Sequence, residues 1–272
     1  MIWVTRMEPT IWYPAALLEG KATKPYGIIV LNQPINKNGL DALIGAAALL
    51  VCADAGANRL MDYEQDKRTE QRLPDAIIGD LDSISQDAQQ YYSDKGVEIV
   101  KDSDQYSTDF TKSLKWMRQQ WDKQKGSKEP LDVVVLGGLG GRVDQGFSQI
   151  HHLYMVLSQP DLLRGFVYLL SEQSLSFVLA DGKNELHVND QVFTENVGIL
   201  PWLGPTSISI TGFEWDVSDW PTEVGKQVST SNHIRSDTVT VTVHGTCPLF
   251  TVELTKALCA EDSRLSTASK QI

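Results

Sequence analysis

Apolar residues fall into two textures along this chain. In the first half they form continuous runs. Gly27-Ile28-Ile29-Val30-Leu31, Leu49-Leu50-Val51-Cys52, Asp75 to Ile78, Val97 to Val100 and Asp132-Val133-Val134-Val135-Leu136 each read as a strand. Helix-like stretches from about Leu40, Ala55 and Thr108 separate them. Strands without polar alternation, divided by helices, predict a parallel sheet covered on both faces. The helix after Thr108 is the best defined: Phe110, Leu114, Met117 and Trp121 recur at spacings of four, three and four, one helical face. Thr108 suits the N-cap, which places Asp109 in the first turn. A further helix runs from about Val143 to Leu157 and ends before Pro160.

From about Phe166 the runs become short, alternating or β-branched: Phe166 to Leu170, Leu175 to Leu179, Glu185 to Val188, Thr206 to Thr211, Thr238 to Val243 and Leu249 to Leu254. Turn signals such as Asp181-Gly182 and His244-Gly245 separate them. The predicted class is therefore α/β, an N-terminal Rossmann-like, mostly parallel sheet with helices on both faces, followed by a C-terminal antiparallel β-sandwich. Residues 26–170 are expected to form the first unit and 171–258 the second, with 1–25 as an N-terminal arm and 259–272 as a polar tail.

At 272 residues and 42% hydrophobic, the chain can bury a sizeable core. Its formal net charge of −11, with no long basic run, argues against a nucleic-acid or anionic-membrane partner. An anionic small substrate stays open, because a metal ion and a few donors can reverse the field in one cleft. Cys52, Cys247 and Cys259 form no CxxC pair, so a disulfide framework and a cysteine zinc site are not expected. The longest apolar stretch, Leu43 to Ala53, falls short of the ~20 residues that span a bilayer. Glu8 and Pro9 interrupt any secretory core, and the expectation is a cytoplasmic protein.

Chemistry concentrates on loops that leave strands. Gly79-Asp80-Leu81-Asp82-Ser83 follows the run Ala76-Ile77-Ile78, and Asp102-Ser103-Asp104-Gln105-Tyr106-Ser107-Thr108-Asp109 follows the next strand. Carboxylates at the carboxyl ends of neighbouring parallel strands face one crevice and can share a hard cation beside substrate phosphates. A capped turn is the plainer reading of the first cluster, and a solvated loop that of Asp102. Leu136-Gly137-Gly138-Leu139-Gly140-Gly141-Arg142-Val143-Asp144-Gln145 leaves a strand and enters a helix. Its glycines let backbone N–H groups approach an anion, and Arg142 can clamp a phosphate. It is neither a P-loop nor GxGxxG. Ala53-Asp54-Ala55-Gly56-Ala57-Asn58-Arg59 is a third such turn, for which capping by Asp54 is explanation enough. The histidines (His151, His152, His187, His233, His244) show no ligand spacing and read as structural or surface. By residue type alone, Trp215 reads as core and Ser229-Thr230-Ser231-Asn232 as a turn.

In their order, these blocks resemble the eukaryotic thiamine pyrophosphokinases. Leu31-Asn32-Gln33-Pro34, Ala53 to Asn58, Gly79 to Ser83, Asp104-Gln105 with Thr108-Asp109-Phe110-Thr111-Lys112, Gly137 to Gln145, Thr211-Gly212-Phe213-Glu214-Trp215 and Ser229 to Asn232 carry the likeness across about residues 26 to 255. The resemblance implies transfer of pyrophosphate from MgATP to the hydroxyethyl group of thiamine, in a homodimer whose thiamine pocket spans the subunits. It implies Mg²⁺ on Asp80, Asp82 and Asp109. Asn32, Gln33, Asp54, Asn58, Gln105, Thr108, Gly138, Gly140, Arg142, Asp144 and Gln145 would line the nucleotide and phosphate region. Trp215 would stack on thiamine, with Ser229, Ser231 and Asn232 near its pyrimidine. One departure stands out: where the family often reads Asp-Gln-Asp-x-Thr-Asp, Tyr106 takes the third place. Two other readings of the aspartates are a haloacid dehalogenase-type Mg-dependent phosphatase and a non-catalytic thiamine or nucleotide sensor. The first is marked by hydrolysis of simple phosphate esters, the second by binding without AMP release.

Overall fold

Strands buried along their whole length need helices on both faces, and the first half of the chain supplies them. The computed structural model describes residues 8–67, 72–125 and 129–259. It opens with β1 (Thr10–Trp12) and α1 (Pro14–Leu18), then alternates β2 (Tyr26–Val30), α2 (Lys37–Ile44), β3 (Leu49–Ala53) and α3 (Gly56–Lys67). Next come β4 (Ala76–Gly79), α4 (Gln86–Asp94), β5 (Glu98–Lys101), α5 (Asp109–Lys125), β6 (Asp132–Leu136), α6 (Val143–Ser158) and β7 (Val167–Leu170). Every residue of β2, β3, β4, β6 and β7 is buried. They pair in parallel in the order β7-β6-β2-β3-β4-β5. At the rim, β5 exposes Glu98 and Lys101, charges that discourage pairing with another chain.

Successive strand residues feed opposite cores. Ile28, Leu50, Cys52 and Ile77 join Leu40 and Leu43 of α2, Leu60 and Tyr63 of α3, and Ala88 and Tyr92 of α4. Ile29, Val51 and Ile78 join Phe110, Leu114, Met117 and Trp121 of α5 with Leu153 and Val156 of α6. The four-three-four face of α5 is thus its buried face. Thr108 caps this helix, its Oγ1 accepting from Thr111 N at 3.2 Å.

The second half adds β8 (Ser174–Val178), β9 (Gly182–His187), β10 (Phe193–Leu200), β11 (Thr206–Thr211), β12 (Val217–Thr222), β13 (Ser229–His233), β14 (Thr238–Gly245) and β15 (Leu249–Leu254). It makes two layers. One prolongs the parallel sheet: β8 pairs antiparallel with β7, giving the ten-stranded order β13-β10-β15-β8-β7-β6-β2-β3-β4-β5. The other is a five-stranded sheet, β1-β9-β14-β11-β12. Leu186, Ile208, Ile210, Val239, Val241 and Val243 of the smaller sheet meet Phe177, Val197, Ile199, Phe250 and Val252 of the larger in one core. The antiparallel sandwich is therefore built partly on an extension of the α/β sheet.

Several segments differ from the sequence expectation. Part of the expected arm is β1, which pairs in parallel with β9. Trp12 is buried there, its Nε1 donating to Asn184 Oδ1 at 2.9 Å and its ring 4.8 Å from that of Phe177. Ser229–Asn232, read as a turn, belongs to the edge strand β13. Residues 1–7 of the arm and 260–272 of the tail lie outside the described residues. Among the described residues no helix is long and apolar enough to cross a membrane.

Candidate active site

Because β3, β4 and β5 are adjacent and parallel, the loops leaving their carboxyl ends converge on one edge of the sheet. Asp54 follows β3, Asp80 follows β4, and Asp109 opens α5. Each offers a carboxylate oxygen, and the three oxygens lie within 4.8 Å of one another. Gly79 makes that approach possible: a Cβ there would come within 2.7 Å of Asp54 Cβ and 3.2 Å of the Asp109 carboxylate carbon. Asp54 sits at φ +43, and its carboxylate accepts from Ser83 N at 3.2 Å and Ile84 N at 3.1 Å. Burial pushes its pKa up to about 6, with the charges of Asp109 and Asp82 adding to the rise and the two N–H groups opposing it. Asp80 is held below the usual carboxylate range, chiefly by the N–H of Asp82 at 3.3 Å. Gln105 Nε2 donates to Asp80 Oδ2 at 3.3 Å. The buried Lys112 Nζ donates to Asp109 Oδ1 at 3.1 Å and to Asp102 O at 2.9 Å, orienting the third carboxylate.

Three carboxylate oxygens with no nitrogen or sulfur donor suit a hard divalent cation. A cation would also relieve the crowding that keeps Asp54 protonated to a higher pH. The composition of the trio differs from expectation. Asp82 lies outside it, with Leu81 at φ +62 turning the backbone between them and Asp82 Oδ1 accepting from Ser83 Oγ at 2.7 Å. Asp54, expected along the nucleotide, stands with Asp80 and Asp109 instead. Asp102 and Asp104 accept from backbone N–H groups within their own loop, from Asp104 at 3.0 Å and Tyr106 at 2.9 Å.

The glycine turn lies at the switch point of the sheet. β2 stands between β3 and β6, so the loops after β2 and β6 diverge around a crevice. A Cβ on Gly137 (φ +68) would stand 2.6 Å from Leu31 O and 2.7 Å from Gln33 O, and one on Gly141 2.5 Å from Gln33 Oε1. Gln33 therefore packs against the glycine turn at Gly137 and Gly141, with Asn32 just before it on the loop after β2. At the N-terminus of α6 the N-cap Arg142 makes no side-chain cap hydrogen bond, and the helix end favours an anion. Exposed at its start, Arg142 pairs with Asp144 in a fork, at 3.1 and 2.6 Å; Gln145 is exposed beside them. Asn32 accepts from Arg59 Nε at 3.2 Å, and Asn58 braces the acidic loop by accepting from Ser85 N at 3.0 Å. Thr108 Oγ1 lies 2.7 Å from His152 Nε2. His152 Nδ1 lies 2.6 Å from Ser148 O, an acceptor, so Nδ1 carries the proton and Nε2 accepts from Thr108. Burial lowers the His152 pKa, which favours that neutral form. Neither Lys112 nor His152 was identified from sequence. The Asp109-x-x-Lys112 spacing on a helix was the available signal for the first; the second had none.

The remaining candidates gather on the sandwich. Trp215 is 54% exposed between β11 and β12. Asn232 is buried, and its amide clamps the Trp215 backbone, accepting from its N at 3.2 Å and donating to its O at 3.1 Å. It therefore holds Trp215 in place rather than presenting a free amide. The His233 ring lies 5.1 Å from the indole and Nδ1 2.6 Å from Glu214 Oε2, a contact that leads the lowering of the Glu214 pKa. Ser229 is buried, and Ser231 is exposed at φ +56. Eight strand steps separate β13 from β4 in the large sheet, roughly 38 Å along it at ~4.8 Å per step. The acidic trio and the glycine crevice thus lie at the ends of neighbouring strands, while Trp215 is tied through Asn232 to the far edge of the sheet.

Residues 40–162 match the model of the thiamin pyrophosphokinase catalytic domain, and residues 183–248 that of the thiamin pyrophosphokinase vitamin B1 binding domain. Thiamine pyrophosphokinase 1 of Oryza sativa subsp. japonica is 34% identical over 233 residues, 81% of this chain and 84% of the relative. The thiamine pyrophosphokinase of Saccharomyces cerevisiae is 32% identical over 232 residues, 70% of this chain and 72% of the relative. Among solved structures, thiamin pyrophosphokinase from Candida albicans superposes with a TM-score of 0.81 at 27% identity, covering 90% of this chain and 93% of that one.

Proposed function

The chain belongs to the thiamin pyrophosphokinase family, and from that premise we propose that it transfers pyrophosphate from MgATP to the hydroxyethyl oxygen of thiamine, giving thiamine diphosphate and AMP. The observation that carries the reading is the meeting of the Asp54, Asp80 and Asp109 carboxylates at one edge of the sheet with the glycine crevice at its switch point. In this reading the α/β half holds ATP and the sandwich half holds thiamine. Asp54, Asp80 and Asp109 would hold Mg²⁺, which would supply positive charge to offset that of the phosphates. Lys112 keeps Asp109 aimed at the cluster, and Gln105 does the same for Asp80. The N-terminus of α6 and the Arg142 guanidinium, once released from Asp144, would stabilise charge that develops on the phosphates from the other side. The thiamine hydroxyl attacks the β-phosphorus. The bond from that phosphorus to the oxygen bridging it to the α-phosphate breaks, and AMP leaves with the electron pair. Catalysis is mostly alignment and charge neutralisation.

Trp215 is the candidate thiamine platform. The span of sheet between it and the trio supports a homodimer in which each Trp215 serves the partner's phosphate site. The net charge of −11 suits a cationic substrate, whose approach the negative field favours. A dehalogenase-type phosphatase is not favoured, because both halves of the chain match the thiamin pyrophosphokinase domains.

The deciding experiment measures AMP release from ATP and Mg²⁺, with and without thiamine, in wild type and Asp80→Asn. Thiamine-dependent AMP in the wild type, reduced at least about a hundredfold in the variant, is expected. Phosphate or ADP in place of AMP would mean a hydrolase or an ordinary kinase. Thiamine binding without turnover would mean a sensor.

A further inference from the structure

Tyr106 is fully exposed, at 102%, whereas every other tyrosine has more than half its surface covered. Its loop is braced. Asp102 N donates to Gly79 O at 2.8 Å, Asp104 N to Asp102 Oδ1 at 3.0 Å, and Tyr106 N to Asp104 Oδ1 at 2.9 Å. Lys112 Nζ ties down Asp102 O from beneath at 2.9 Å. Successive aspartate turns of this kind present the ring from ordered backbone. The preceding residue, Gln105, donates to Asp80 at 3.3 Å, so Tyr106 springs from backbone next to the carboxylate cluster.

The chemistry of the reaction decides which substrate ring reaches it. Two carbons join the attacking oxygen of thiamine to its thiazolium. Once that oxygen meets the β-phosphorus, the cationic ring must lie beside the phosphate site. Adenine is held away from the same phosphorus by the α-phosphate and the ribose. A tyrosine face attracts a cation, and Asp80, Asp82, Asp102 and Asp104 add negative potential around it. We infer that Tyr106 is a thiamine-binding and specificity residue, whose ring covers the thiazolium as the hydroxyl reaches the phosphate site. The inference rests on the pyrophosphokinase reading above. The ring is fully exposed, so no side-chain packing has to break for it to turn toward the substrate.

Steady-state AMP release in wild type, Tyr106→Ala and Tyr106→Phe, with thiamine and ATP varied separately, tests this. The alanine variant is expected to raise the KM for thiamine about three- to thirtyfold with the KM for ATP unmoved. The phenylalanine variant should keep the wild-type thiamine KM, because the ring face and not the hydroxyl makes the contact. A second arm compares two competitors of thiamine, neutral 4-methyl-5-(2-hydroxyethyl)thiazole and its N-methyl cation. Wild type should prefer the cation, and Tyr106→Ala should lose that preference. With wild-type turnover intact, an unmoved thiamine KM in Tyr106→Ala, a rise in the KM for ATP instead, or equal weakening of both competitors overturns the inference alone. Absence of thiamine-dependent AMP in the wild type overturns the reading on which it stands, and the inference with it. Unchanged Tm in both variants checks that the fold is intact.

Discussion

Asp54 shows how far a residue's chemistry depends on what surrounds it. By sequence it is a capping aspartate; in the fold it is buried at φ +43 against two other carboxylates. Its raised pKa of about 6 sets a sign. Without a cation, Asp54 favours the folded state below its unfolded value, and that contribution is lost as pH rises through about 6. A bound cation needs the deprotonated form, so proton and metal compete. Stabilisation by Mg²⁺, read as the rise in Tm, should therefore be larger at pH 7.5 than at pH 5.5. Calorimetry in buffers of different ionisation enthalpy should show proton release on binding near pH 6. A metal response flat from pH 5 to 8 would sink this account. Asp80, Asp109 and the glycine turn were legible from strand-end position and spacing. The approach of Asp54 to them was not, because it depends on which strand lies beside β4.

Among the elements, those with an unbroken or alternating apolar run or a helical apolar stripe were readable, and strands without such a run were not. The α5 spacing and the unbroken runs of β2, β3 and β6 mark elements that must bury one or both faces. Of the strands missed, β12 and β13 each lie at one edge of a sheet, whereas β10 is interior but breaks its apolar run with Thr194-Glu195-Asn196. An edge strand needs no apolar run and tolerates irregular backbone. β12 accordingly holds Pro221 and Asp219 at φ +47, and β13 is Ser-Thr-Ser-Asn-His with Ser231 at φ +56. At the end of β4 the constraint is space. Gly79→Ala should push Asp54 and Asp109 apart, lowering stability by about 1–3 kcal/mol and weakening metal binding. Thermal denaturation and metal titration measure the two effects. Gly45→Ala is the control, since Gly45 has helical φ and nothing within 4 Å of a Cβ. Equal behaviour of the two variants would remove Gly79 from the site's architecture.

For the whole molecule, the sheet order carries the strongest consequence. If each thiamine pocket joins the acidic trio of one subunit to Trp215 of the other, Asp80→Asn and Trp215→Ala chains should complement. A hybrid dimer has one pocket with both changes and one with neither, so an equal mixture assembled at random should recover about a quarter of wild-type activity. Refolding the two inactive variants together and assaying AMP release measures this; no recovery despite hybrid formation would mean each chain serves itself. Sequence by itself determined the α/β class, the parallel strands, the antiparallel second half and the loops that carry charge. Those features follow from local periodicity and from turn residues acting on near neighbours. Only the tertiary structure decided that β8 prolongs the parallel sheet, that β1 closes onto the sandwich, that Asp54 completes the trio and that Trp215 stands far from it. These depend on which distant strands lie side by side, and that is set by burial of the whole core and not by any segment's own pattern.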